Sequence, residues 1–202
     1  MAEQILDEAE LIAGLKRRDA AAVAAFFEEH ADRTYRLALG MLGSESDAEE
    51  VTQMTFISAM EAIDRFEARG KLDTWLYRIA HNHALMLIRK RQAASPLPDD
   101  DAPIAASSSV DWRNVPEERL LSQEAQERLW VEIARLPESL RAAFTLRDVE
   151  GLSTADCAQV QGISEPACKV RLHRARLLLR ERLSGYFAEW MRHPGATAER
   201  EG

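Results

Sequence analysis

The sequence predicts an all-α protein made of two small helical domains joined by a flexible acidic linker. Apolar residues recur at three- and four-residue spacing in "AELIAGLKRRDAAAVAAFF", "TYRLALGML", "AEEVTQMTFISAMEAI" and "TWLYRIAHNHALMLI", and again from Glu117 to about Trp190. This is the period of helices with one face on a core. No run with period two competes as a strand. Between the helical stretches, "AASPLPDDDAPIAASSSVDWRNVP" holds too few apolar side chains to offset the entropy of ordering it. The reading is therefore a first domain over 1–92, a linker over 93–116, a second domain over 117–190 and a frayed polar tail over 191–202. A chain of 202 residues is long enough for two small cores.

Each element has a local reason. Ser46 followed by Glu49 reads as a helix start of the capping-box kind, and Gly70 breaks the chain before the next helix. In the second domain Ser153 and Asp156 form another such box, opening a short helix that runs to about Val160. Gly162 supplies a turn, Ser164 caps the next helix, and Pro166 sits in its first turn, where proline is tolerated. Two helices joined by a tight glycine-containing turn are the pattern of a helix-turn-helix. On a wheel of about 100° per residue, Cys168, Leu172, Ala175 and Leu179 share an inward face. Pro166, Val170 and His173 lie opposite, flanked by Lys169 and Arg174, which is the geometry of a helix that enters a major groove. An ordinary basic helical hairpin is the plain alternative.

The charge distribution sharpens the question. The chain has a formal net charge of -8, yet residues 71–92 carry five bases against one acid and residues 169–182 carry six against one. Two basic islands in an acidic chain point to two contacts with a polyanion, although either alone reads equally as a solvated helix face. No apolar run approaches the length of a membrane span, and "MAEQILDEAE" is acidic where a secretory signal is basic, so the expectation is a cytoplasmic protein without membrane insertion. There is no glycine-rich phosphate loop, nucleophile elbow or His/Cys/acid cluster at ligand spacing; no catalytic residue, cofactor or metal is expected. His81 and His83, two apart on a helix, point about 200° from each other. Cys157 and Cys168 face one another across the crossing of the two motif helices, as small hydrophobes or as a redox pair.

The stretch "LPESLRAAFTLRDVEGLSTADCAQVQGISEPACKVRLHRARLLLRERL" resembles the fourth conserved region of bacterial RNA polymerase sigma factors of the extracytoplasmic-function group. "DAEEVTQMTFISAMEAIDRFEARGKLDTWLYRIAHNHALMLIRKR" resembles their second region, in the right order and spacing. The resemblance implies a promoter-specificity subunit, not an enzyme, with core RNA polymerase and promoter DNA as partners, and it leaves an anti-sigma factor open as a third. It places Asp47, Glu50, Gln53 and Phe56 at the core polymerase, with core packing an equal reading for Phe56. It places Lys71, Arg78, Asn82, Arg89 and Arg91 on the non-template strand of the −10 element, with the loop from Glu67 to Leu72 selecting an extruded base. Trp75 and Tyr77 are candidates for base stacking, with core packing the more frequent role for Trp75. Pro166, Lys169, Val170, His173 and Arg174 fall to the −35 element. Met54 and Met86 stand where most of the family has an acid. The acidic linker residues Asp99, Asp100, Asp101 and Asp111 fit either a spacer or a segment threaded through a basic channel. A stand-alone helix-turn-helix regulator is the competing reading; it requires tight duplex binding without polymerase.

Overall fold

The computed structural model describes residues 7–68, 70–92 and 123–192; the linker expectation and the tail from 193 on lie outside these residues, while 191–192, expected in the frayed tail, continue the last helix. All regular structure among the described residues is helical. Four helices come first: α1 (Glu8–Lys16), α2 (Ala20–Leu42), α3 (Glu45–Ala62), extended by a 3-10 turn at Ile63–Arg65, and α4 (Leu72–Gln92). Four more lie among the described residues 123–192: α5 (Gln123–Ala134), α6 (Glu138–Phe144), α7 (Thr154–Gln161) and α8 (Glu165–Arg192), with a π-helical turn at Thr145–Val149 between α6 and α7.

Local chemistry sets the boundaries. The Asp19 carboxylate accepts from the Ala22 amide to start α2, and Gly43 ends that helix in the left-handed region. The start of α3 differs from the expectation: Ser44, not Ser46, is the cap, its hydroxyl accepting from the Asp47 amide at 3.5 Å. Ser46 lies inside the first turn, 3.2 Å from the Ser44 hydroxyl. Both serines are followed three residues later by an acid, so local sequence alone did not separate them. In the second half, Ser153 caps α7 and Gly162 closes it at φ 67°, where any other residue would be strained. Ser164 accepts from the Ala167 amide at the head of α8.

Leu11, Leu15, Phe26, Phe56, Ile63 and Leu76 make a core among α1 to α4. Ile133, Leu136, Leu140, Ala175 and Leu179 make a smaller one in the second half. A third core joins the halves: Leu37, Met41, Tyr77, Ala80, Ala84 and Ile88 pack against Leu146, Leu152, Cys157, Val160, Cys168 and Leu172. The two helical groups therefore meet across continuous apolar surface, with α7 against α4 and the α6 region against α2. The halves approach closely at Gly40, where a Cβ would lie 2.6 Å from Thr145 Cγ2.

Polar ties border this contact. Glu150, directly after the π-helical turn, has a fully buried side chain that accepts from Arg36 Nε at 3.1 Å and from Arg36 Nη2 at 3.2 Å. Tyr77 donates to the same carboxylate at 3.4 Å, and Arg33 stands 3.9 Å away. Lys71 and Thr74 both donate to Asp156, at 3.1 and 3.4 Å. The Arg36 guanidinium is held above its ordinary range by its bonds to Glu150, and burial pushes the Tyr77 phenol up.

Candidate nucleic-acid interface

Helix α8 begins with the tightest part of the second half. Cys168, Leu172, Ala175 and Leu179 are all buried, while Pro166, Lys169, Val170 and His173 are exposed and Arg174 is half-buried. The start of the inward stripe is held by α7, where Cys168 Sγ lies 3.3 Å from Cys157 Sγ, and its continuation, Ala175 and Leu179, packs on Ile133, Leu136 and Leu140. Gln161 Nε2 donates to the Cys157 sulfur at 3.2 Å. Much of the basic island on α8 serves structure: Arg176 makes a two-pronged bond to Asp148, Arg171 donates to Gln161 Oε1, and Arg182 reaches the Glu132 carbonyl. This division was not visible in the charge count, because each partner lies in another element.

Helix α4 carries the other basic face. Arg78, Asn82 and Arg89 are exposed and fall within one strip of the helix, with Met86 between Asn82 and Arg89; exposed Lys71, tied to Asp156, directly precedes the helix. Arg91 does not join them. It lies on the far side of α4 and grips Asp47 on α3, with Nη2 2.6 Å from Asp47 Oδ1. Asp47 is itself buried, so these two residues, expected at separate sites, hold each other between helices. Tyr77 is buried against the second half, while Trp75 is half-buried with its ring 5.0 Å from that of Phe66.

The loop before α4 is held from below by α1. Lys16 donates to the Phe66 carbonyl at 2.8 Å, and Glu8 accepts from the Leu72 amide at 3.0 Å. Above it opens a cleft of about 270 Å3 lined by Phe66, Glu67, Gly70, Lys71, Trp75 and Arg78, with Gln159 of α7 on one wall. The start of α4 is fixed by Asp73, which pairs with buried His30 at 2.9 Å and with Arg33 at 3.2 Å. The bond from His30 holds the Asp73 carboxyl below the usual range. Neither His30 nor Asp73 was singled out in the sequence, where a histidine on a helix carries no local signal of its partner.

On α3, Glu50 and Gln53 are exposed beside Met54 and Ile57, whereas Phe56 is buried with its ring 5.4 Å from Phe26 and 4.8 Å from Phe27. His81 is buried and its imidazole is pushed down to about 4; His83 bonds Ser58 at 2.9 Å. Among the described residues no group of three or more His, Cys, Asp or Glu is arranged to hold a metal ion, and no helix is long and apolar enough to cross a membrane.

A chain whose regular structure among the described residues is helical, and whose α7–turn–α8 unit buries one stripe and exposes a face with basic residues, has the architecture of the helix-turn-helix class. The sigma-70 region 2 model matches residues 26–94, and the sigma-70 region 4 model matches residues 126–179. The chain is 31% identical over 176 residues to the ECF RNA polymerase sigma factor SigW of Bacillus subtilis, covering 84% of this chain and 92% of that protein. It is 31% identical over 187 residues to the ECF RNA polymerase sigma-E factor of Haemophilus influenzae, covering 91% and 98%. The fold resembles CnrH, solved in complex with the cytosolic domain of CnrY, with a TM-score of 0.66 at 25% identity over 88% of this chain and 97% of that one. The sigma factor RpoE of Bartonella quintana, solved with the anti-sigma factor NepR, shares the fold at a TM-score of 0.59 and 22% identity, covering 79% of this chain and 95% of that one. The chain belongs to the ECF group of RNA polymerase sigma factors, the promoter-recognition subunits of that enzyme.

Proposed function

We propose that α8 reads the −35 element and α4 binds the non-template strand of the −10 element, each domain taking one of the two contacts. The observation that carries this reading is the split of α8 into a locked inner stripe and an exposed outer face of Pro166, Lys169, Val170 and His173, with Arg174 at its edge. That face presents cations for phosphates and base edges together with the Val170 methyls, which suit a thymine methyl group. On α4 and just before it the strand-binding group is Lys71, Arg78, Asn82 and Arg89, with the cleft above Phe66 and Trp75 receiving an extruded base. Arg91 is assigned to the Asp47 pair instead. The core polymerase contact is assigned to the exposed side of α3, where Glu50 and Gln53 offer acid and amide groups to a basic surface. Phe56 supports that face from beneath.

In this reading the protein performs no covalent chemistry and works in the cytoplasm beside its polymerase. An anti-sigma factor is a natural third partner, since the chain is similar in fold to a sigma factor solved with one. The test is run-off transcription by a bacterial core polymerase on genomic fragments, with and without this protein. Defined transcripts appear only with the protein, and Arg174→Ala weakens them roughly tenfold through loss of a base-edge contact. No defined transcript, alongside tight operator binding without polymerase, would turn the assignment to a stand-alone regulator.

A further inference from the structure

We propose that Met86 is a base-packing residue of the α4 strand-binding face, the apolar rest for an unpaired nucleobase of the melted strand; this deepens the promoter-recognition reading and depends on it. Met86 is 67% exposed, more than any other large hydrophobic side chain among the described residues. Its neighbours Leu85 and Leu87 are half-buried and pack on the core shared by the two halves, so α4 has apolar surface to bury and leaves Met86 out of it.

Its position explains why. Met86 is four residues after Asn82, eight after Arg78 and three before Arg89, which places all four within about 80° of the helix circumference. A single strand laid along this strip meets guanidinium groups for its phosphates. Its unstacked bases then need an apolar surface to replace the neighbours they lost. A thioether is flexible and polarisable enough to cover a base face, and methionine is among the side chains that serve as wedges between base steps. Trp75, half-buried at the cleft, lies eleven residues earlier, about 16 Å along the axis. The track therefore has one apolar station at the cleft and a second three turns on, with cations between and beside them.

The test uses holoenzyme assembled with core polymerase and a fork probe built from a promoter that the run-off assay defines, duplex through the −35 element and single-stranded over the −10 element. Met86→Ala lowers fork-probe affinity about tenfold, the size expected for one base contact, and leaves the salt dependence unchanged because no charge is lost. Met86→Leu stays near the parent. Arg89→Ala, by contrast, lowers the salt slope by about one. A fully duplex probe of the −35 half shows no loss for either Met86 variant. Equal fork-probe affinity of Met86→Ala and parent, or an equal loss on the duplex probe, would overturn the inference while transcription by the parent still upheld the promoter reading. If the parent itself directs no transcript, no promoter is defined and both readings fall together.

Discussion

Two buried sites show how environment sets chemistry. The Cys157 and Cys168 thiols touch at 3.3 Å and are wholly buried, and burial pushes the Cys157 thiol up to about 12. Thiolate is the reactive form, so at neutral pH Cys157 is held as an unreactive thiol packed on Cys168. A thiol-labelling reagent should modify the native protein at the slow rate of local opening and modify both sulfurs quickly in denaturant; rapid labelling of the native protein would contradict the buried pair. His81 works in the opposite sense. Burial holds its imidazole down at about 4, against about 6.5 in an unfolded chain. Between those values the unfolded state takes up a proton that the folded state refuses. Stability is therefore full above about pH 6.5 and falls as pH drops toward 4, by at most about 1.4 kcal/mol per unit. Asp73 and Asp156, both held low by hydrogen bonds, add their losses only at more acid pH. Thermal midpoints at pH 7.5 and 5 should converge in His81→Leu; an unchanged difference would place the acid sensitivity elsewhere.

At the scale of elements, what the sequence disclosed was what neighbouring residues decide. The α7–turn–α8 unit was legible residue by residue, because a serine cap, a left-handed glycine and a 3.6-period apolar stripe are all local signals. The basic content of α4 was legible as a charge count, but its division between an exposed strip and Arg91, which turns to Asp47, was not. Interactions between distant segments were not. Asp47 and Arg91 are 44 residues apart and each had a plausible role alone, so nothing in either stretch announced that they bind each other. Phe56 left core and contact equally open until the rings of Phe26 and Phe27, from another helix, closed over it. Glu150 drew no attention in the sequence, since its partner Arg36 is 114 residues away. The helix-turn-helix was therefore foreseeable as a unit, but the surface on which it rests was not.

That surface decides how the whole molecule must behave. The −10 and −35 elements are about 25 base pairs apart by their names, or about 85 Å of duplex at 3.4 Å per step. Helix α8, with 28 residues, is about 42 Å long. With α4 and α7 in contact and Lys71 tied to Asp156, one rigid arrangement cannot make both proposed contacts, α4 on the −10 element and α8 on the −35 element. Gln159 also stands on the wall of the cleft beside the strand-binding loop. The closed arrangement must therefore open before both faces meet a promoter. Its ties are separable by experiment. Glu150→Gln removes the buried charge shared by Arg36 and Arg33, a loss of about 2 kcal/mol for charge-assisted hydrogen bonds. Gly40→Leu forces a side chain into the place where Thr145 packs, and neither residue belongs to the proposed DNA faces. Fluorescent labels at the exposed positions Glu61 and Arg180 give the distance between the halves. Transfer should be efficient in the free parent, lower in both variants, and lowest for every form once core polymerase and promoter are added. Free parent protein already at the polymerase-bound distance would show that the shared core does not hold the halves together in solution.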